Sequence, residues 1–153
     1  MKKLLLVLIA VVGISFAANA QNAIGVRLGG GQGYGAELSF QKGLGGASRV
    51  EADLGYRSYY SVNWLAFTAI YQLHYDISAV PNLGWYAGVG GRVDLYTYSG
   101  TSIALGVVGQ AGIDYQFDVL PLQLSLDIRP CLYLYPATDF QWGDIALGIR
   151  YTF

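Results

Sequence analysis

The sequence predicts an all-β protein: an eight-stranded antiparallel up-and-down transmembrane β-barrel, preceded by a cleavable signal peptide. Three observations carry this prediction. Apolar and polar residues alternate with period 2 in eight separate segments, as they do in strands with one apolar and one polar face. The N-terminus has the three-part pattern of an export signal. All six arginines lie on the polar face of the alternating segments, together with seven of the ten acidic residues.

Residues 1–20 are predicted to be the signal peptide. Two lysines near the start precede an apolar run at residues 4–13, and a small-x-small cleavage site ends at Ala20. The apolar run is short for a membrane-spanning helix, so an uncleaved anchor is the weaker alternative. Cleavage between Ala20 and Gln21 leaves residues 21–153, which is the length of one domain.

The eight predicted strands are separated by turn signals rich in Gly, Pro, Asn and Ser. They cover residues 23–31, 33–41, 48–57, 64–75, 84–96, 103–117, 122–133 and 144–153. Short connections between consecutive strands predict an antiparallel meander, and closing it into a barrel removes every sheet edge. Such strands, about ten residues long and tilted near 40°, span roughly 25 Å, the height of an outer-membrane apolar band. Pro130 cannot donate to the ladder, which predicts either a bulge in the seventh strand or the start of the barrel rim there.

Two kinds of barrel fit this alternation. In a membrane barrel the apolar face meets lipid, whereas in a soluble barrel it surrounds a ligand. The polar face carries arginines and carboxylates but no lysine, which favours a paired, buried network inside a membrane barrel. The predicted lumen network consists of Arg27, Glu37, Arg49, Glu51, Asp53, Arg57, Arg92, Asp94, Asp114, Asp127, Arg129, Asp144 and Arg150.

Glycines on the same polar face support a narrow lumen. An eight-stranded barrel is just wide enough for side chains to fill it, so small residues there make room for the arginines. An exposed sheet face would gain little from so many glycines, because they weaken strands. These glycines are Gly25, Gly35, Gly55, Gly88, Gly90, Gly106, Gly112 and Gly148.

Aromatic residues gather at the strand ends. If the first strand rises from the periplasm, seven outward-facing aromatic residues form a girdle at the periplasmic rim, against outer-membrane lipid. They are Phe40, Tyr75, Trp85, Tyr115, Phe117, Tyr151 and Phe153. A second set near the outer mouth is expected to form the outer interface belt, with glycan, lipid-headgroup or partner binding as the alternative. This set comprises Tyr59, Tyr60, Trp64, Tyr96, Tyr98, Tyr133, Tyr135, Phe140 and Trp142.

The export signal, the eight alternating segments and the terminal Tyr151-Thr152-Phe153 resemble the small outer-membrane β-barrel proteins of Gram-negative bacteria, the OmpA/OmpX-type group. The resemblance covers all of residues 21–153 and rests on pattern, with no catalytic motif behind it. It implies a bacterial outer-membrane location. It also implies that the C-terminal aromatic residue is a signal read by the barrel-assembly machinery.

Few residues carry the signature of catalysis, a metal or a cofactor. His74 is the only histidine, and its place on the polar face near the periplasmic end favours a hydrogen-bonding role. Catalysis would need a nucleophile such as Thr68 and an acid such as Asp53 or Asp94 beside it. A single Cys and a single His far apart predict no metal site. We expect no cofactor, and the net charge of −1 does not fit a nucleic-acid-binding protein.

The main functional expectation is a monomeric structural or interaction protein of the cell envelope, with a closed, ion-paired lumen. A narrow pore for ions or very small solutes is the first alternative, because the same charges could line a channel. Further alternatives are an outer-leaflet lipid-modifying enzyme and a soluble ligand-binding barrel.

Overall fold

The computed structural model describes residues 22–31, 33–97 and 101–153, so the predicted signal peptide and its Ala20–Gln21 cleavage site lie outside the described residues. The described chain forms eight strands. They are β1 (Asn22–Gly31), β2 (Gly33–Gly45), β3 (Ser48–Tyr59), β4 (Val62–Asp76), β5 (Leu83–Thr97), β6 (Thr101–Gln116), β7 (Leu122–Tyr135) and β8 (Asp139–Thr152). No helix among the described residues is long and apolar enough to cross a bilayer.

Each strand pairs antiparallel with its neighbours in sequence, and β1 also pairs with β8, which closes the barrel. The β1–β8 seam runs from the pair Ala23 and Thr152 to the pair Gly30 and Ile145. Backbone hydrogen bonds of 3.3 and 2.9 Å link Asn22 and Phe153 at the same end. We call this the terminal end and the opposite one the distal end. The predicted fold class, a closed up-and-down barrel of eight strands, is confirmed.

The largest error in the predicted strand limits concerns β8, which begins at Asp139 and not at residue 144. Residues 139–141 pair with β7 beyond an irregularity in the ladder. Arg129 lies opposite Asp144, but Cys131 lies opposite Gln141, so β8 has one extra residue there. The alternation read from the sequence stops at this point because the extra residue changes which face the following side chains occupy.

This irregularity lies at Pro130, where the sequence predicts one, but the bulge is not in the seventh strand itself. The extra residue belongs to the facing strand, where Gly143 has a φ of +83°. A Cβ on Gly143 would collide with the backbone carbonyl of Arg129, so only glycine fits. Pro130 has no N–H to donate, and a bulge is where such a residue is tolerated in a ladder.

The two faces of the strands have opposite chemistry. On β3, Asp53 is 1% exposed and points into the barrel, whereas its neighbour Leu54 is 53% exposed and points out. The same alternation of buried polar and exposed apolar residues recurs along β4 and β7. The buried apolar cluster is small and lies inside the barrel; it consists of Ile70, Ala104, Val108, Cys131 and Tyr133. Most of the interior is therefore polar.

Candidate functional site: a charged lumen between two cavities

Charged side chains from five strands meet in the middle of the lumen, and none of them is more than 3% exposed. We call this group the central cluster; it consists of Arg27, Glu37, Glu51, Asp53, Asp127, Arg129 and Arg150. The period-2 pattern places all of these residues on the inner face. The antiparallel pairing then brings them to similar depths in the barrel.

Arg129 reaches from β7 across the lumen to carboxylates on β2 and β3. Its Nη2 donates to Glu51 Oε1 at 2.5 Å and its Nη1 donates to Glu37 Oε2 at 3.2 Å. Nη2 also lies 2.8 Å from Asp53 Oδ2, without the alignment of a hydrogen bond. One guanidinium group therefore compensates charge on three acids.

Glu37 forms ion pairs with three arginines. It accepts from Arg27 Nη1 at 3.0 Å, from Arg57 Nη2 at 2.6 Å and from Arg129 Nη1 at 3.2 Å. Arg27 continues the network by donating from Nη2 to Asp127 Oδ1 at 2.6 Å. These bonds join β1, β2, β3 and β7, so they span the lumen and do not only follow adjacent strands.

Arg150 fills the side of the lumen nearest the terminal end. Its Nε donates to Ser39 Oγ at 2.9 Å, its Nη1 donates to Ser125 Oγ at 2.6 Å, and its Nη2 lies 3.3 Å from Glu51 Oε2. Glu51 also accepts from Gln41 Nε2 at 2.5 Å. Neutral hydroxyl and amide groups thus add hydrogen bonds to the charged groups, while Arg129 Nε and the two carboxylate oxygens of Asp53 make none with the described residues.

Charge in the centre of the lumen is balanced. With Arg57 included, four guanidinium groups face four carboxylates in ion pairs of 2.5–3.3 Å. A buried ion is costly unless it is paired, and removing one partner leaves the other uncompensated. The cluster therefore behaves as a unit.

Two inner glycines show how the lumen accommodates these side chains. A Cβ on Gly35 would lie 2.7 Å from Arg57 Cγ, and a Cβ on Gly55 would lie 2.7 Å from Glu37 Cγ. Real Cβ atoms do not approach that closely, so each glycine leaves the space that its partner occupies. The expectation that inner glycines make room for arginines holds at Gly35, whereas Gly55 makes room for an acid.

The terminal end of the lumen opens into a cavity of about 340 Å³. There His74 Nε2 donates to Asp114 Oδ1 at 2.8 Å, and Arg49 Nη1 donates to Asp114 Oδ2 at 2.8 Å. Gln123 Nε2 also donates to Asp114 Oδ2 at 2.8 Å. The guanidinium group of Arg49 also lies 4.4 Å above the ring of Tyr86. We call this the terminal cavity.

The acid beside His74 was not foreseen. The sequence makes Asp53 and Asp94 the candidates, but Asp114 on β6 is the residue in contact. Asp53 lies in the central cluster, and Asp94 bonds to Arg92 near the distal end. The partner could not be chosen from the sequence because it depends on how far neighbouring strands are staggered around the barrel.

The distal end of the lumen opens into a larger cavity of about 500 Å³, which we call the distal cavity. Arg92 Nε donates to Asp94 Oδ1 at 2.9 Å, and Tyr133 Oη donates to Asp94 Oδ2 at 2.5 Å. The rings of Trp64 and Tyr96 stack at 5.4 Å on the wall of this cavity.

Aromatic residues at the distal end correct one expectation. Trp64 and Tyr133 were assigned to an outer interface belt, but they are 8% and 7% exposed and line the distal cavity together with Tyr96. Their positions in the alternation match those of lumen residues, so parity was the signal that could have placed them. Tyr98 lies outside the described residues, and the remaining members are exposed; they are Tyr59, Tyr60, Tyr135, Phe140 and Trp142.

Aromatic residues at the terminal end contact one another in pairs. Tyr75 stacks on Trp85 with ring centroids 5.3 Å apart, and Tyr151 stacks on Phe153 at 6.1 Å. Tyr115 and Phe117 meet edge to face at 5.0 Å. Phe40, the seventh residue of the predicted girdle, lies on β2 opposite Ile24 and Ala52.

Twelve of the thirteen residues assigned to the lumen network have described side chains, and each of the twelve takes part in at least one ion pair. The backbone of Asp144 pairs with that of Arg129, while its side chain lies outside the described part. In the part of the chain that the structure describes, no group of three or more His, Cys, Asp or Glu could hold a metal ion.

An eight-stranded antiparallel barrel with a polar interior and an apolar exterior is the fold of the small outer-membrane barrels, and the resemblance seen in the sequence is confirmed at the level of the fold. Two solved structures share it. The N-terminal β-barrel domain of Pseudomonas aeruginosa OprF superimposes with a TM-score of 0.74 and 14% identity, covering 88% of this chain and 98% of that domain. Neisserial surface protein A (NspA) gives a TM-score of 0.63 and 13% identity, with 87% and 95% coverage. No protein-family model and no curated protein sequence matches the chain.

Proposed function

We propose that this chain is an integral β-barrel protein of the bacterial outer membrane, with a closed, ion-paired lumen and a structural or interaction role in the cell envelope. The observation that carries the proposal is the reversed polarity of the barrel. Leu38, Leu54, Phe67 and Val89 are each at least half exposed on the outer face, while the arginines inside are buried. An outer face of this kind is stable against hydrocarbon and costly against water.

Lipid is the partner that the outer face fits. Exposed leucine, isoleucine, valine and phenylalanine side chains occupy the middle of the strands, and ring pairs such as Tyr75–Trp85 and Tyr151–Phe153 occupy the terminal end. Aromatic rings at one rim and aliphatic side chains at mid-height are the arrangement that membrane barrels present to a bilayer. A soluble ligand-binding barrel is not favoured, because its apolar face would have to point inward.

The closed lumen is supported by the position of the central cluster. It separates the terminal cavity from the distal cavity, and the two cavities share no lining residue among those described. Arg27, Arg129 and Arg150 are at most 1% exposed, so the interior has no wide aqueous path beside them. We propose that these ion pairs hold the barrel in shape.

A narrow pore is the second candidate, and the two cavities are the observation in its favour. A channel would need only a rearrangement of the central cluster to connect them. A lipid-modifying enzyme has less support, because His74 bonds to Asp114 at the terminal end and Thr68, the nucleophile considered, is buried and 1% exposed.

The route to the membrane follows from the resemblance. A signal peptide at residues 1–20 would direct export, and the terminal aromatic pair Tyr151 and Phe153 would be read by the barrel-assembly machinery. We propose a monomer without a cofactor, since closure of β1 on β8 leaves none of the eight described strands with a free edge for a second copy.

Cell fractionation combined with gel mobility tests the membrane assignment. We expect the protein in the outer-membrane fraction, soluble only with detergent, and migrating differently before and after boiling because the folded barrel resists denaturation. Recovery in the soluble fraction without detergent, with no effect of boiling, would overturn the assignment.

Current recording across a planar bilayer distinguishes the closed-lumen proposal from the pore proposal. We expect no stable unitary currents from the reconstituted, folded barrel. Reproducible current steps of one size would show that the lumen conducts and would replace the first candidate by the second.

A further inference from the structure

The distal cavity has the chemistry of a binding site. We propose that it binds a small organic anion, a carboxylate or phosphate attached to a single flat ring. Its volume of about 500 Å³ lies in the range of small-molecule sites. Binding would require only the barrel itself, so this inference does not depend on whether the central cluster conducts.

Arg92 supplies the anion-binding group. Its side chain is 6% exposed, and its hydrogen bonds to described residues come only from Nε, at 2.9 and 3.1 Å to the two oxygens of Asp94. The two Nη groups donate to none of the described residues, and Arg92 is one of the residues that line the cavity. A guanidinium group offers five N–H donors, and two parallel ones match a carboxylate or phosphate. An anion in the cavity would fill the positions that Asp94 leaves open.

Trp64 supplies a flat surface and a buried donor that lacks an acceptor among the described groups. Its ring is 8% exposed, lines the cavity and stacks on Tyr96 at 5.4 Å. The indole Nε1 is buried and donates to none of the described groups. A buried donor without an acceptor costs free energy, so a ligand oxygen that meets it would be favoured. The same rings offer a stacking surface to a flat ligand.

The charge of the lining selects an anion over a cation. No carboxylate is among the described residues that line the distal cavity. Arg57 and Arg129 line it too, but they already pair with acids of the central cluster, so the preference for an anion rests on Arg92. Asp94 lies behind the wall and is held by Arg92 and by the hydroxyl of Tyr133. The terminal cavity differs, because Asp76 and Asp114 line it together with Arg49 and His74. We therefore place anion binding at the distal end only.

Isothermal titration of the folded full-length barrel in detergent micelles tests the proposal, with phenyl phosphate as the probe. Inorganic phosphate tests the charge alone, phenol tests the ring alone, and empty micelles correct for partition of the ring into detergent. We expect saturable binding of phenyl phosphate that is tighter than binding of either fragment. No saturable heat above that of empty micelles would overturn the proposal, and equal affinity for inorganic phosphate would remove the ring from it.

Variants locate the binding. Arg92→Gln should weaken phenyl phosphate binding about tenfold or more, since hydrogen bonds to charged groups are the strong ones. Trp64→Phe keeps a ring but removes the N–H and should weaken binding roughly two- to fivefold. Lys42→Gln removes one positive charge from an exposed position outside the distal cavity and should leave the affinity unchanged.

Gel mobility before and after boiling shows whether each variant is folded. If Arg92→Gln does not fold because Asp94 loses its partner, Arg92→Lys is the replacement variant. It keeps the positive charge but lacks the two parallel N–H donors of the guanidinium group, so it should still weaken binding. Parental affinity in both folded Arg92→Lys and folded Trp64→Phe would overturn the assignment to the distal cavity.

Discussion

The two faces of one strand are stabilised in different ways, as the neighbouring residues Asp53 and Leu54 show. Asp53 is buried inside the barrel, with its Oδ2 2.8 Å from Arg129 Nη2. Leu54 is exposed on the outer face and depends on no single partner. The outer face is stabilised by the kind of solvent around it, so many apolar side chains would serve there. The inner face is stabilised by individual compensation of charges, so each residue depends on its partners. Substitutions on the two faces should therefore differ in kind.

The largest effect is expected at Arg129. Arg129→Leu leaves Glu37, Glu51 and Asp53 short of a cation inside the lumen. Breaking a buried ion pair from one side typically costs about 3–5 kcal/mol. We expect the free energy of unfolding, measured by urea titration of the barrel in lipid vesicles, to fall by about that amount.

Lys42→Leu is the matched control for Arg129→Leu, because it also replaces one cation by leucine but at an exposed position. Its effect should stay within about 0.5 kcal/mol. A loss below about 1 kcal/mol for Arg129→Leu would mean that the central cluster does not stabilise the fold.

The second largest effect is expected on the outer face, at Leu126. Leu126 is 48% exposed on the outer face of β7, where it pairs with Leu147 and Ile113. If the barrel spans a bilayer as proposed, Leu126→Arg places a charge in the hydrocarbon and should lower the free energy of unfolding in vesicles by about 2–4 kcal/mol. The same change at Leu120, which is 55% exposed in the β6–β7 turn, should cost about 0–1 kcal/mol. Equal costs at the two positions would show that the outer face does not meet lipid.

The smallest effect compares two adjacent glycines on β5. A Cβ on Gly90 would collide with the backbone carbonyl of Ala69, whereas a Cβ on Gly91 meets nothing within 4 Å. Gly90→Ala should therefore cost about 1–3 kcal/mol through crowding, and Gly91→Ala should be neutral or slightly stabilising. Urea titration of both variants under one condition decides the point, and a reversed order would contradict the assignment of faces.

The fold could be predicted from the sequence because every second side chain of a β-strand points to the same face, so the sequence pattern shows which face is polar and which is apolar. In β3 the residues from Glu51 to Arg57 alternate between charged or small and apolar ones, and that pattern alone gives the strand and its buried face. The start of β8 could not be predicted, because the extra residue at Gly143 interrupts the alternation. A bulge depends on the local backbone conformation, which a period-2 pattern does not record.

The lumen site was predictable in composition but not in pairing. Arg92 and Asp94 are two residues apart on one strand, so their contact could be read directly from the sequence. The contacts of Arg129 with β2 and β3 could not, because they depend on the tilt and stagger of the strands around the barrel. Trp64 and Tyr133 are a different case: their aromatic type predicts a place at the membrane interface, whereas their position in the alternation predicts the lumen, where both lie.

The bond between Arg27 and Asp127 has a consequence for the order of folding events. It joins side chains 100 residues apart in sequence, on strands that flank β8 at the seam. Contacts between distant parts of a chain form late, because the intervening chain must first be brought together. Until β8 is inserted, Arg27 has no closed interior in which to meet its acid, and the edges of β1 and β7 remain open. The final strand therefore closes the sheet around the pairs that cross the lumen, whereas a half-assembled barrel keeps only local pairs such as Arg27 with Glu37.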